Sequence, residues 1–273
     1  MTRVLKRHPA RSQDLCLGLF EGDAAMNPAE FQNIAAAEQQ FWWYRGMKRI
    51  LFRLLDPVAR RRSFQRVLDA GCGTGRLAAQ LAERYHWRIF PVDIGWEGLG
   101  YARLLHPERL AQCDIAALPF QDAAFDLVLS MDVLIHFARG DEDRPMAEFA
   151  RVLQRGGLCV VRVSALEALR SRHSQFAHER QRFTRSRLMR LAQRHGIRVL
   201  RCTYANALLL PVALAKFRAW EPLLRKPPQS GVRPVAPWLD SILYAPLRLE
   251  ATLLGAGFNF LLGQSLLLIG QKQ

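Results

Sequence analysis

Between residues 66 and 165, apolar and polar positions change period in regular alternation. "RVLDAG" (66–71), "WRIFPVDI" (87–94), "RLAQCDI" (109–115), "FDLVLSMDVL" (125–134) and "LCVVRVSA" (158–165) are nearly continuous apolar runs, which predicts buried strands. Between them, "RLAAQLAERY" (76–85) sets Leu77, Ala78 and Leu81 on one helical face. "WEGLGYARLL" (96–105) and "RPMAEFARVLQ" (144–154) follow the same period, and Gly156-Gly157 suits a left-handed cap on the latter. Strand and helix in strict turn predict βαβ units. The fold class is therefore α/β, a doubly wound and mostly parallel sheet with helices on both faces.

Beyond residue 166 the pattern loosens. Thr184 and Gly196 bracket a predicted helix over 184–196 as N-cap and stop. "IRVLRCTYANA" (197–207) and "QSLLLIGQK" (264–272) bring the predicted strands to seven. Upstream, helical spacing over 30–55 predicts one or two helices. The stretch 251–271 lacks charge and is long enough for a bilayer. Its four glycines, with Asn259, Gln264 and Ser265, instead predict a helix followed by a buried strand. The apolar stretch within 1–23 is too short for a secretory leader. We expect 1–25 to be a disordered extension, with Met26 as an alternative start, and a cytoplasmic protein. Five cysteines without CxxC spacing or a histidine cluster read as reduced, buried thiols and no metal site.

The glycines of "LDAGCGTG" (68–75) need a reason, because glycine is costly to order and packs nothing. Parallel α/β sheets bind ligands at the carboxyl ends of their strands. A glycine loop there admits a ligand to the backbone and turns sharply into a helix. The spacing is G-x-G-x-G, with Arg76 where a dinucleotide site would have its third glycine, and no Gly-Lys-Ser/Thr follows. Asp93 ends the second strand and suits a ribose diol. Asp114 ends the third and suits an exocyclic amine. Glycine loop, diol acceptor and amine acceptor make a nucleoside site.

Together, "LDAGCGTG" and "LPFQDAAFDLVLSMDVLIHF" (118–137) resemble the class I S-adenosylmethionine-dependent methyltransferases, over roughly residues 38 to 207. The resemblance implies a Rossmann-like methyltransferase fold with S-adenosyl-L-methionine as cofactor. It implies that Asp69, Gly71 and Gly73 line the methionine part and that Gly75 shapes the turn. Asp93 would hold the ribose hydroxyls with Ile94 against the adenine, and Asp114 the adenine amine with Ile115 on the ring. Ser130 and Met131 would border the sulfonium. "FWWYRG" (41–46) resembles a segment that closes over the cofactor, with Arg45 pairing its carboxylate; Trp42 and Trp43 equally suit plain core packing. Two departures fall on the acceptor side: Ile135 stands where the family often has Glu, and His173-Ser174 where it usually has His-Asp. The implied organisation is 26–65 as helices covering the cofactor site, 66–207 as the core, 208–258 as an apolar and basic helical insert, and 259–273 as the last strand.

Methyl transfer needs position, desolvation and, for some nucleophiles, a base. His136, just past the fourth strand, and His178, in a lid-like segment with His173, are the candidates; a surface or core role is the plain alternative. The net charge of +15 favours anionic partners, although 34 of the 39 basic residues are arginine, a bias that also arises without recognition. Ten arginines between 170 and 201 face one acid, Glu179. That run suits an anionic acceptor or a membrane surface, or merely a solvated helix face; its sparse aromatics argue against nucleic acid. The insert 208–258 suits an interfacial helix, a cap over a greasy pocket or a dimer contact. The expected function is methyl transfer to a small-molecule, lipid or glycan acceptor, on oxygen before nitrogen or carbon. An RNA or protein methyltransferase and a non-catalytic cofactor-binding scaffold are the alternatives.

Overall fold

The computed structural model describes residues 26–106, 108–224 and 227–273; the expected extension 1–25, with Cys16, lies outside them. The N-terminal pattern resolves into two helices. α1 (Pro28–Ala37) starts at Asn27, whose side chain accepts the Ala29 N–H, with Pro28 preset for the first turn. α2 (Trp42–Arg61) buries Met47, Ile50, Leu51, Leu54 and Leu55, the one-face spacing of an amphipathic helix. Then come β1 (Val67–Ala70), α3 (Arg76–Tyr85), β2 (Ile89–Asp93), α4 (Trp96–Ala102), β3 (Ala111–Gln112), β4 (Phe125–Met131), α5 (Asp143–Val152) and β5 (Leu153–Ser164). α6 (Arg172–Phe176), α7 (Arg185–Arg194) and β6 (Ile197–Ala205) follow. The insert holds α8 (Leu210–Leu214), a π-helical stretch Ala215–Trp220, α9 (Glu221–Leu224) and α10 (Pro237–Gly255), and β7 (Ser265–Lys272) ends the chain.

The seven strands form one sheet in the order β3-β2-β1-β4-β5-β7-β6. β1 to β5 run parallel, and β7 runs antiparallel between β5 and β6. This is the mostly parallel, doubly wound sheet that the alternation predicts. One core layer packs Phe125, Met146, Phe149, Leu188 and Leu191 between the sheet and α5 and α7. The other packs Met47, Leu51, Leu81, Leu247 and Leu254 beneath α2, α3 and α10. α10 crosses α2 at Gly46, where a Cβ would lie 2.2 Å from Leu247 Cδ1. Strand order reverses between β1 and β4, so a crevice opens at their carboxyl ends.

Two details depart from expectation. α5 ends at Val152, where Leu153 turns extended, so Gly156-Gly157 is not its cap. Gly156, at φ +74°, lies inside β5 beside a register shift against β4. β3 keeps two residues of the predicted seven, as an edge strand with one neighbour. Thr184 does cap α7 by accepting the Arg187 N–H, and Gly196 follows it at φ +71°. The uncharged stretch 251–271 divides into the end of α10 and β7. Among the described residues no helix is long and apolar enough to cross a membrane.

Candidate active site

A cavity of about 1320 Å³ fills the crevice at the carboxyl ends of β1, β2, β4 and β5. The glycine loop forms its floor. Gly71 needs its left-handed backbone (φ +90°), and a Cβ there would sit 2.2 Å from Val133 Cγ2. Gly73 differs: a Cβ would meet nothing nearer than Phe31 at 3.9 Å, so its missing side chain is open space within the cavity wall. Gly75 (φ +73°) turns the chain into α3 behind the wall and does not line the cavity.

Three carboxylates stand along this wall. Asp93 accepts the Gly73 N–H through Oδ2 and the Gly95 N–H through Oδ1, both at 2.7 Å, which ties the glycine loop to the loop after β2. Its burial raises its pKa, and those two N–H groups oppose the rise. Asp69 is buried, and its Oδ2 has no hydrogen-bond partner. Burial first, and the charge of Asp93 second, push its pKa up to about 7. Asp114 bonds the Ala116 N–H at 2.8 Å and faces the cavity, beside Ile115 and across from Ile94.

The end of β4 carries a feature the sequence reading missed. Asp132 follows Met131 in a left-handed conformation (φ +60°) uncommon for a residue with a side chain. Its Oδ2 accepts Arg162 Nε at 2.9 Å, and its Oδ1 is buried without a partner. The Arg162 guanidinium lies 5.1 Å from the Trp43 ring. Met131, Asp132, Arg162 and Trp43 all line the cavity. Trp42 and Trp43 pack on the core beneath α2 and line the cavity as well.

His136 is buried on the cavity wall, in the one-turn helix Leu134–His136. Its Nδ1 stands 3.2 Å from the His178 carbonyl oxygen. A carbonyl only accepts, so Nδ1 carries the proton and Nε2 is the basic nitrogen. Burial lowers the pKa of His136, which keeps the ring neutral near pH 7. Gln181 fixes this turn by donating to the Phe137 carbonyl at 2.9 Å, and Ile135 O accepts the Arg180 N–H.

α1, α6 and the insert close the cavity. Phe31 of α1 packs against Gly95 and Gly98, which leave room for its ring. Glu30 accepts from Ser230 Oγ at 3.0 Å, and His173 Nδ1 accepts the Gly231 N–H at 3.1 Å. Phe31 and Glu30 gave no sequence signal beyond helical spacing.

Asp69, Gly71, Gly73, Asp93, Ile94, Asp114, Ile115, Met131 and His136 thus line one cavity. Four expected site residues do not. Arg45 bonds Asp240 of α10 at 2.8 Å and lies over the Tyr244 ring, outside the wall. Ser130 is fully buried and donates to Ala70 O at 2.9 Å, pinning β4 to β1. The His178 ring is exposed, and its carbonyl is what meets His136. Gly75 shapes the turn, as noted. The arginine run is also largely spent within the chain: Arg170, Arg182, Arg187, Arg194, Arg198 and Arg201 each hydrogen-bond an internal partner.

Comparison with known proteins agrees with this geometry. Residues 68–161 match the family described as "Methyltransferase domain". The chain is 35% identical over 132 residues to the malonyl-[acyl-carrier protein] O-methyltransferase of Erwinia billingiae, covering 46% of this chain and 49% of that one. It is 32% identical over 121 residues to a probable S-adenosylmethionine-dependent methyltransferase of Mycobacterium tuberculosis, covering 44% and 42%. The chain therefore spans about half the length, or less, of these curated relatives. The solved structure of a putative sarcosine dimethylglycine methyltransferase from Galdieria sulphuraria shares the fold, with TM-score 0.53, 16% identity, and 81% and 84% coverage.

Proposed function

We propose, from the premise that the chain carries a class I S-adenosylmethionine-dependent methyltransferase domain, that it transfers a methyl group to the oxygen of a small-molecule, lipid or glycan acceptor. The observation that carries this reading is the row of Asp69, Asp93 and Asp114 on one cavity wall behind an open glycine loop. The residues suit S-adenosylmethionine. The ligand is cationic, and two residues of the cavity wall each hold a buried carboxylate oxygen without a partner, Asp69 Oδ2 and Asp132 Oδ1. Each would accept a hydrogen bond that the chain itself does not supply. Asp93 keeps lone pairs beyond its two N–H bonds for a ribose diol, and Asp114 would take the adenine amine between Ile94 and Ile115.

When bound, the cofactor supplies an activated methyl carbon and a neutral thioether leaving group. The chain supplies the rest. The aromatic wall of Trp42, Trp43 and Tyr44 excludes water, which strengthens every charge interaction inside. Burial raises the Tyr44 pKa, so its phenol stays protonated as a donor. His136 Nε2 takes the proton of the acceptor hydroxyl, and the His178 carbonyl steadies the resulting imidazolium through Nδ1–H. This base favours oxygen as the acceptor atom. Ile135, buried beside it, leaves His136 without an adjacent carboxylate in that turn. The reading is of a cytoplasmic enzyme that touches a membrane peripherally through its insert rather than through the arginine run.

Incubation with S-adenosylmethionine labelled in its methyl group, and with lipid, glycan, RNA and protein pools in parallel, tests the reading. Label should enter a lipid or glycan fraction, and His136→Asn should cut the rate by about 10²- to 10⁴-fold. Label confined to RNA or protein would reassign the acceptor. Cofactor binding with no labelled pool would leave a scaffold.

A further inference from the structure

The insert sorts its residues by charge. Residues 208–262 contain three acids, and all three turn inward. Glu221 accepts the Arg172 N–H, Asp240 holds Arg45, and Glu250, fully buried, accepts the Ala207 N–H. Among the described cations of the same segment, Arg218 and Arg248 are exposed outside the cavity wall, while Lys216 and Arg233 are exposed at its rim. Large apolar side chains accompany them. On α10, Trp238, Ile242, Ala245 and Leu249 recur at i, i+4, i+7 and i+11, which sets them in one exposed stripe opposite the face packed on α2. Trp238 is 66% exposed and Ile242 59%. The other half of the insert adds Trp220 at 62% and Leu223 at 78%.

Single exposed apolar residues are ordinary, but a stripe with tryptophan at its edge, cations beside it and every acid withdrawn is not. Water does not call for that sorting. A second copy of the chain suits it poorly, because a two-fold contact would set a cationic face against itself. A surface with an apolar interior and anionic headgroups fits on both counts. The same elements also wall the cavity: Phe217, Leu239 and Leu243 face it one position along from outward-facing residues.

We infer that the outward face of the insert docks on a lipid bilayer carrying anionic headgroups, and that the cavity takes its acceptor from that surface. The docking stands by itself; the acceptor's origin rests on the methyltransferase reading above.

Cosedimentation with unilamellar vesicles tests the docking, with equimolar phosphatidylcholine and phosphatidylglycerol compared with phosphatidylcholine alone. The protein should bind the mixed vesicles, and bind neutral ones about tenfold less. Trp238→Ser with Ile242→Ser should weaken binding about tenfold or more. Arg218→Glu with Arg248→Glu should act only on the anionic vesicles. All four residues lie outside the cavity wall, so melting temperature and S-adenosylmethionine affinity should not change. Absence of vesicle binding, or binding untouched by either double variant, overturns the inference. So does a solution dimer that Trp238→Ser with Ile242→Ser dissociates, which would assign the face to a second copy. Vesicle binding is read without cofactor, so failure of the methyltransferase reading would show separately, as loss of cofactor binding.

Discussion

Asp69 is a carboxyl group kept in a place that disfavours its charge. Its pKa stands near 7 in the folded chain, against an ordinary value of 3.8. Between those two pH values the unfolded chain ionises this group and the folded chain resists, so stability falls as pH rises, until about pH 7. Asp69→Asn removes that penalty. It should raise the melting temperature of the ligand-free protein at pH 8 and leave it little changed at pH 3. The same substitution should weaken S-adenosylmethionine binding, because a cation beside Asp69 favours the carboxylate. For that reason cofactor affinity of the native protein should rise as pH passes upward through about 7, with proton release visible when buffers of different ionisation enthalpy are compared. The two histidines separate in a pH profile. His136 works as a base when neutral, and burial lowers its pKa, so its acid limb should fall below the usual histidine range near 6.5. His178→Asn, which tolerates the left-handed backbone at that position (φ +57°), should keep the rate, because it retains the carbonyl that His136 Nδ1 meets. The three aspartates were legible in the sequence because each lies at or just past the carboxyl end of a strand, and those ends converge in a parallel sheet. Arg45, Ser130 and His178 were not. Arg45 and Ser130 sit near the cavity along the chain, but their side chains answer to partners far away in sequence, Asp240 and Ala70, and at His178 it is the carbonyl that meets His136.

At the scale of elements, the strand-helix alternation gave up nearly all of the core, because apolar periodicity is set by which face is buried. Ends were less legible. Gly156-Gly157 carries the left-handed backbone of a cap but spends it inside β5. The contact between α2 and α10 joins residues about 200 apart, and nothing local in "RGMK" or "PLRL" marks it. Yet Gly46 there is decisive, because a Cβ would lie 2.2 Å from Leu247 Cδ1. Gly46→Ala should cost about 1–3 kcal/mol in denaturant unfolding, despite alanine's better helix propensity. Leu247→Ala in the same chain should recover part of that loss, since it vacates the space; two independent losses that simply add would refute the close packing.

Across the whole molecule, the sheet sets a crevice where strand order reverses between β1 and β4, and segments before and after the sheet close it. α1 brings Phe31 and Glu30 to it, α6 brings His173, and the insert brings Ser230, so three segments distant in sequence meet over one cavity. The composition of the insert was legible, but its use was not: Leu and Trp beside Arg suit a lipid surface, a cap or an interface alike, until the inward turn of its acids separates them. The central claim is that this cavity is an S-adenosylmethionine site. Calorimetric titration of the purified protein with S-adenosylmethionine, and with S-adenosylhomocysteine in parallel, tests it most directly. Saturable one-to-one binding in the micromolar range, weakened about 10- to 100-fold by Asp93→Ala, is the predicted result. No binding by a folded protein, or binding that Asp93→Ala leaves intact, would contradict the account.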